Sequence, residues 1–337
     1  MNPKAEADLI EAARAGDETS FQRLVSAQRA SLRAHCYRML GSAADADDAL
    51  QETLLAAWQG IDRFEGRSKF RSWLFTIATH ACMRLASRRP KRVTPPQLTA
   101  PGDPRADLPE PLLETAWLEP YTYDAAEHDA RASVEAQYSE CESVELAFVA
   151  ALQLLPASQR AALILRDVLG FSARETASSL ETSEASINSA LQRARETVAR
   201  QTPISQATNR RTIGEETHRR LVADFMGAWQ RADVPALVAL LAEDATFSMP
   251  PLPCWFRGRQ DIGVFFAERV FALQWRFVPA RANGQAAIAG YQRHEGSSTY
   301  RFEVLNVLDL RGQHVASICS FLKEASEPFG LPASIER

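Results

Sequence analysis

Between Arg63 and Arg92 nine lysines and arginines stand against one acid, Glu65; from Thr94 to Glu140 the ratio inverts to ten acids against Arg105 and Arg131. This reversal marks a basic module followed by an acidic tether, and the overall net charge of -4 conceals it. The tether also carries a proline-rich run from Pro95 to Pro120 and cannot bury enough apolar surface to fold alone. The basic module ends near Val93, and the next element begins near Cys141. At 337 residues the chain exceeds one ordinary core, and 46% apolar with 24% charged residues is the composition of a globular protein.

No uninterrupted apolar run reaches the roughly 18 residues needed to span a bilayer. Met1 to Asp17 is charged throughout, without the apolar centre of a signal peptide, so a cytoplasmic location without membrane contact is expected. The five cysteines are scattered, with no C-x-x-C and no nearby histidine pair. Neither a disulfide framework nor a metal site is expected, and no cofactor is implied.

Residues 1–92 are dominated by helical periodicity. Ser42 followed by Asp45 reads as an N-cap with its capping-box partner, and Leu50, Leu54, Ala57, Trp58 and Ile61 recur on one helical face. Asp45, Asp48 and Glu52 form an acidic ridge on another face, with Gln51 close by. That ridge is either a solvated face or a docking surface for a basic partner. Downstream, a basic loop interleaved with aromatics, from Arg63 through Phe64, Ser68, Lys69, Phe70 and Arg71 to Trp73 and Leu74, runs into a helix. On it Thr76, His80, Arg84 and Arg88 step by four along a polar side. Basic groups neutralise phosphates and aromatics stack unpaired bases, so the set suits melted DNA better than a closed duplex. Phe70, Trp73 and Leu74 are also readable as core residues, and for Trp73 and Leu74 that reading is the favoured one.

The run Asp45-Ala46-Asp47-Asp48-Ala49-Leu50-Gln51-Glu52-Thr53 to Trp58, followed by Phe64-x-Gly66-x-Ser68-x-Phe70-x-x-Trp73-Leu74-x-x-Ile77-Ala78, resembles region 2 of bacterial sigma factors of the extracytoplasmic-function class.

In residues 141–204, a first helix from Val144 stops near Leu155-Pro156, and a second, Ala161 to Leu169, is ended by Gly170. Ser172 and Glu175 form a second capping box opening a short helix to Leu180. A turn at Glu181 and Thr182 follows, and Ser183 caps the last helix. There Ile187, Ala190, Leu191, Ala194 and Val198 face inward, while Glu184, Asn188, Gln192 and Arg195 share an outward side flanked by Ser186, Ser189 and Arg193. This is helix-turn-helix spacing with short polar groups for base edges and arginines for phosphates or guanine. A helical hairpin with a solvated face is the alternative. The segment also resembles sigma region 4, with Glu181 where that family usually has a glycine; the module is close to neutral, with six arginines against seven acids from Cys141 to Arg200. The resemblance implies dependence on RNA polymerase in place of tight independent duplex binding.

Residues 205–337 begin with two helices, the second capped by Asp233. Alternation then marks strands at Ala245 to Met249, Trp275 to Ala280, Ala286 to Gln292, Tyr300 to Leu310 and His314 to Leu322, with a helix from Asp261 to Phe271. This order predicts an α+β cone. The sequence Phe247-Ser248-Met249-Pro250-Pro251-Leu252-Pro253-Cys254-Trp255-Phe256-x-Gly258 resembles the SnoaL-like polyketide-cyclase and ketosteroid-isomerase superfamily, in which the sheet wraps an apolar pocket. Asp244, Tyr291, His294, Tyr300, Asp309 and His314 are the available polar groups, and their spacing does not converge on a catalytic dyad.

The resemblances imply a multidomain chain: two all-α sigma modules (1–92 and 141–204) joined by the linker 93–140, then a SnoaL-like regulatory domain. They imply partners in core RNA polymerase (its β′ and β subunits) and promoter DNA, and no enzymatic activity. Asp45, Asp48, Gln51 and Glu52 would dock on the β′ coiled coil. Phe64, Ser68, Lys69, Arg71, Trp73, Thr76, His80, Arg84 and Arg88 would bind and open the minus-ten element. Arg174 with Ser183, Glu184, Ser186, Asn188, Ser189, Gln192, Arg193 and Arg195 would read the minus-thirty-five element. Trp117, Leu118, Glu119, Pro120 and Tyr121 resemble a linker motif of sigma factors carrying such extensions. A small-molecule ligand of the last domain is a further partner to be tested. The rival readings are a cyclase or isomerase on a DNA-binding chassis, and a ligand-sensing regulator acting without polymerase.

Overall fold

Asp17 interrupts the amino-terminal helices by accepting hydrogen bonds from the amides of Thr19 and Ser20, which separates α1 (Pro3–Arg14) from α2 (Glu18–Ser26). The computed structural model describes residues 3–66, 68–122, 144–201, 214–294, 296, 298–322 and 326–336. They fall into two units, one drawn from the described residues of 3–91, 144 and 148–201, the other from those of 92–122, 145–147 and 214–336.

In the first unit α3 (Arg29–Leu40) ends at Gly41, whose φ of 67° only glycine adopts without strain. Ser42 then caps α4 (Ala43–Gly60) by accepting from the Asp45 amide at 3.1 Å. The Asp45 carboxylate is also held by Arg89. Helix α5 (Phe70–Arg88) packs on α3 and α4 through Leu32, Cys36, Met39, Leu50, Leu74 and Phe75, all buried. Ala46, Ala49, Ala57 and Ala78 have no accessible surface and let the helices approach closely.

Further along, α6 (Leu146–Gln153) precedes α7 (Ala157–Leu163), which continues through a π turn over Ile164–Val168 before Gly170, at φ 72°, ends it. It starts at Ala157, earlier than the apolar run alone suggests, because its first turn is polar. The capping box forms in full, with Ser172 accepting from the Glu175 amide and the Glu175 carboxylate from the Ser172 amide, and opens α8 (Ala173–Ser179). Glu181 turns the chain at φ 51°, a left-handed conformation that a glycine would adopt more readily. Ser183 accepts from the Ser186 amide to cap α9 (Glu184–Gln201), whose Ile187, Leu191 and Ala194 are buried.

In the second unit α10 (Glu215–Gln230) and α11 (Val234–Leu240) precede β1 (Leu241–Ser248) and β2 (Trp255–Arg257). Helix α12 (Arg259–Phe265) and a π turn over Phe266–Val270 follow, then β3 (Gln274–Ala282), β4 (Gln285–Arg293), β5 (Tyr300–Arg311), β6 (His314–Leu322) and β7 (Ser334–Ile335). The sheet order is β2-β1-β6-β5-β4-β3 with β7 on β5; β1 pairs with β6 in parallel and the other ladders are antiparallel. Register shifts at Gly290/Tyr291 and Asp309/Leu310 bend the long strands. At Gly290 a Cβ would meet Val304 at 2.5 Å, so the close strand approach there requires glycine. Leu221, Phe225 and Trp229 of α10 pack with Phe247, Phe265, Phe277 and Ile318 in one apolar core. The helices-then-sheet order is the expected α+β fold.

The tether, where described, is ordered within this second unit. Val93 bridges Trp117, Arg92 pairs with Glu119 at 2.7 Å, and the Trp117 indole donates to the Leu112 carbonyl at 2.9 Å. Cys141 and the polar stretch after Thr202 lie outside the described residues.

Candidate nucleic-acid and polymerase interface

Helix α4 presents Asp48, Gln51 and Glu52 to solvent, but Asp45 does not share that ridge: it is 2% exposed and held by Arg89. Arg89 also lies 3.6 Å from Asp48, and Glu52 accepts from Arg84 at 2.5 Å. The acids at these positions are therefore tied to the basic end of α5, which helical spacing alone does not reveal.

The aromatics Phe64, Phe70 and Trp73 pack on one another. Phe64 lies edge-on to Phe70 at 5.7 Å and 5.1 Å from Trp73, and Phe64 and Phe70 are buried. Leu74 is also buried, and Trp73 is half-buried. This aromatic cluster anchors the basic loop onto α5. Ser68, Lys69, Arg84 and Arg88 remain exposed.

Three of the expected minus-ten residues are engaged by the second helical module. The Arg71 guanidinium lies 4.9 Å from the Phe75 ring and 5.8 Å from Phe171, and donates to the Leu169 carbonyl at 3.4 Å. Thr76 and Ser179 share a hydroxyl hydrogen bond of 2.7 Å. Because the Thr76 hydroxyl also bonds to the Ser72 carbonyl, the Ser179 hydroxyl is the donor of that pair. His80 Nε2 donates to the Ser179 carbonyl at 2.8 Å. The same packing is reinforced by Arg160, buried at the start of α7. It donates to Gln153 Oε1 at 2.7 Å, to the Leu155 carbonyl at 3.1 Å and to the Met39 carbonyl, while Gln153 donates to Arg38. Burial pulls the Arg160 guanidinium down to about 10. The sequence offers no local signal for the cross-module roles of Arg160, Gln153 and Ser179, because their partners Met39, Arg38, Thr76 and His80 lie about a hundred residues away.

On α9 the outward side is as the periodicity predicts. Ser183, Glu184, Ser186, Asn188, Ser189, Gln192, Arg193 and Arg195 are exposed, and so is Arg174 on α8. Arg195 is held bidentately by Asp167 at 2.6 and 2.8 Å, which raises its pKa.

The α+β unit encloses a cavity of about 300 Å³ whose walls include Trp229, Phe247, Phe265 and Phe277. Its described polar lining groups are Arg269, Gln292, Glu303, Asn306 and Ser320, none of them among the candidates the strand pattern suggested. Those candidates are placed elsewhere: Asp244 pairs with Arg311, the Tyr291 hydroxyl donates to the Pro332 carbonyl, and Tyr300 lies under Arg276 and Arg293. His294 pairs with Glu303 at 3.3 Å, and His314 is exposed.

The chain matches the family descriptions Sigma-70 region 2 over residues 24–92, Sigma-70, region 4 over 145–198 and SnoaL-like domain over 222–318. It is 39% identical to the ECF RNA polymerase sigma factor SigG of Mycobacterium tuberculosis over 91% of this chain and 82% of that relative. It is 30% identical to the ECF sigma factor SigM of the same species over 58% of this chain and 84% of SigM. The crystal structure of the M. tuberculosis extracytoplasmic function sigma factor SigJ shares the fold, with a TM-score of 0.59 and 22% identity across 91% of this chain and 98% of that one. Two sigma-70 modules and a fused SnoaL-like domain thus define the class. The chain belongs to the extracytoplasmic-function (ECF) RNA polymerase sigma factors.

Proposed function

We propose that this sigma factor docks on the β′ subunit of core RNA polymerase through Asp48, Gln51 and Glu52 of α4, with Asp45 acting from behind by positioning Arg89. Ser68, Lys69, Arg71, Thr76, His80, Arg84 and Arg88 then bind and open the minus-ten element, with the Phe64, Phe70 and Trp73 cluster shaping the loop. The exposed face of α9, from Ser183 to Arg195, together with Arg174, reads the minus-thirty-five element in the major groove. The β subunit is a further surface for the holoenzyme, and the activity belongs in the cytoplasm, where polymerase meets the chromosome.

The observation that carries the reading is the hold of α8 on α5. Arg71, Thr76 and His80 are bonded to Leu169 and Ser179, so promoter DNA competes with the second module for these groups. The described arrangement is therefore a resting state that opens when polymerase separates the modules. The acidic tether, whose residues 93–122 pack within the α+β unit in this state, is released in the holoenzyme to thread toward the polymerase active-site and RNA-exit channels. The α+β domain controls that release, and so modulates initiation. We read it as non-catalytic: Glu303 is the only carboxylate among the cavity's described lining residues, and it sits against His294.

Run-off transcription with core polymerase tests this. Arg71→Ala combined with Arg84→Ala should abolish promoter-specific initiation while preserving core binding, and truncation after Gln201 should change the level of initiation. Unchanged transcription from the double variant rejects the assignment of the minus-ten face.

A further inference from the structure

The cavity of the α+β domain is walled by aromatic and aliphatic side chains, yet Asn306 and Ser320 face into it from adjacent strands, each only 2% exposed. Their bonding is incomplete in a specific way. Ser320 Oγ donates to Asn306 Oδ1 at 2.5 Å, and Asn306 Nδ2 donates one hydrogen to the Ile288 carbonyl at 3.1 Å. A hydroxyl oxygen has two acceptor lone pairs and an amide nitrogen two hydrogens. These bonds use Ser320 as a donor and one hydrogen of the Asn306 amide, so the pair offers one acceptor and one donor to a third group. Buried polar capacity of this kind in an apolar site orients a ligand's polar end. A volume of about 300 Å³ is at the small end for such sites and suits a molecule of two fused rings or a medium-length chain.

At the rim the cavity meets the tether. Arg269 of the π turn lines it and donates to the carbonyls of Arg105 and Ala106 at 3.2 and 3.3 Å, and lies 3.7 Å from Asp107. Arg105 pairs with Glu268 at 3.1 Å. Leu108 completes the wall while staying 41% exposed, so a filled cavity would cover apolar surface that the empty one leaves wet.

We infer that the cavity binds a neutral small molecule, apolar with one hydroxyl, amine or carbonyl end held by Asn306 and Ser320, and that its occupancy clamps the tether segment Arg105–Leu108 onto the domain. Glu303 and Arg269, of opposite sign on the same lining, disfavour a net charge on the occupant. Binding and tether docking are coupled reciprocally: whatever tightens one tightens the other by the same factor. This deepens the proposed control by the domain and rests on it only for its consequence in transcription; binding and clamping are read on the free chain, without polymerase.

The test uses the full-length chain and N-phenyl-1-naphthylamine, a neutral apolar fluorophore with a single N–H. A saturable one-to-one fluorescence increase is expected. Filling the cavity with Ser320→Phe should weaken it about tenfold or more, since the added ring takes the probe's volume. Leu108→Asp, a change on the exposed tether that leaves the domain core intact, should weaken it about fivefold by placing a charge against the probe. In the wild type the probe should slow tryptic cleavage after Arg105 about fivefold or more, because cutting requires local release of the tether. Absence of saturable binding, or binding indifferent to both substitutions, overturns the site. Binding with unchanged cleavage after Arg105 overturns the clamp.

Discussion

His80 on α5 donates to the backbone carbonyl of Ser179, ninety-nine residues away, at 2.8 Å, and the Ser179 hydroxyl bonds to Thr76 one turn earlier on the same helix. One residue of the helix-turn-helix module thus holds two residues of the proposed minus-ten face. Ser179→Ala removes the hydroxyl bond and keeps the carbonyl, a loss of about 1 kcal/mol. If the closed arrangement competes with DNA, the open fraction and the apparent affinity for a single-stranded minus-ten oligonucleotide should rise about fivefold. Fluorescence anisotropy with the free chain measures this; an unchanged or reduced affinity would show that the contact does not oppose DNA binding.

The guanidinium of Arg160 is the central tie of the same packing, donating to Gln153, Leu155 and Met39 from a buried position. Replacing it with methionine keeps much of the volume but removes the donor of four acceptors, the Gln153 side-chain oxygen and the carbonyls of Gln153, Leu155 and Met39, and should cost about 3 kcal/mol. Lysine does not rescue it, because a single ammonium cannot reproduce the fork. Urea unfolding of both variants gives the comparison; a loss under about 1 kcal/mol would mean that apolar packing alone holds α7 on α3.

Acid sensitivity has a defined origin in His35. Its Nε2 donates to Thr79 at 2.9 Å, its Nδ1 has no hydrogen-bond partner, and burial, with Arg38 and Arg71 nearby, lowers its pKa to about 3. Between the unfolded value of about 6.5 and the folded value, the unfolded chain takes up a proton that the folded one refuses, so stability falls as pH falls through that window. From pH 7.5 to 5 this amounts to about 2 kcal/mol. His35→Gln should remove this component of the pH dependence while retaining a donor for Thr79. Urea midpoints at the two pH values decide it, and an equal drop in both proteins would place the acid sensitivity elsewhere.

What could be read from the chain was local. The Ser172–Glu175 box and the burial of Ile187, Leu191 and Ala194 follow from spacing along one helix, and each is found as expected. Asp45 shows where this stops: i, i+3 and i+7 spacing puts it beside Asp48 and Glu52, but only the approach of Arg89 decides that it is buried. The same limit hides Ser179, Arg160 and the Asn306–Ser320 pair, whose roles exist only once distant segments meet. One turn was legible and overlooked. Asn283-Gly284 between two alternating runs is a strong two-residue hairpin signal, and both residues have positive φ, 55° and 67°.

That hairpin turn also holds the tether. The Tyr121 amide donates to Asn283 Oδ1 at 2.9 Å and the Asn283 amide donates to the Tyr121 carbonyl at 2.7 Å, with both residues buried. Asn283→Ala loses the side-chain acceptor and puts an alanine in the left-handed region, where asparagine is better tolerated; together these should cost about 2–3 kcal/mol. Asn283→Asp restores an acceptor and tolerance of that conformation, and should cost less. If Tyr121 is a fixed end of the docked tether, its amide exchanges hydrogen at least about tenfold faster in the alanine variant, while amides in the centre of β5 stay protected. Equal acceleration at both places would mean that the substitution unfolds the sheet instead of releasing the tether.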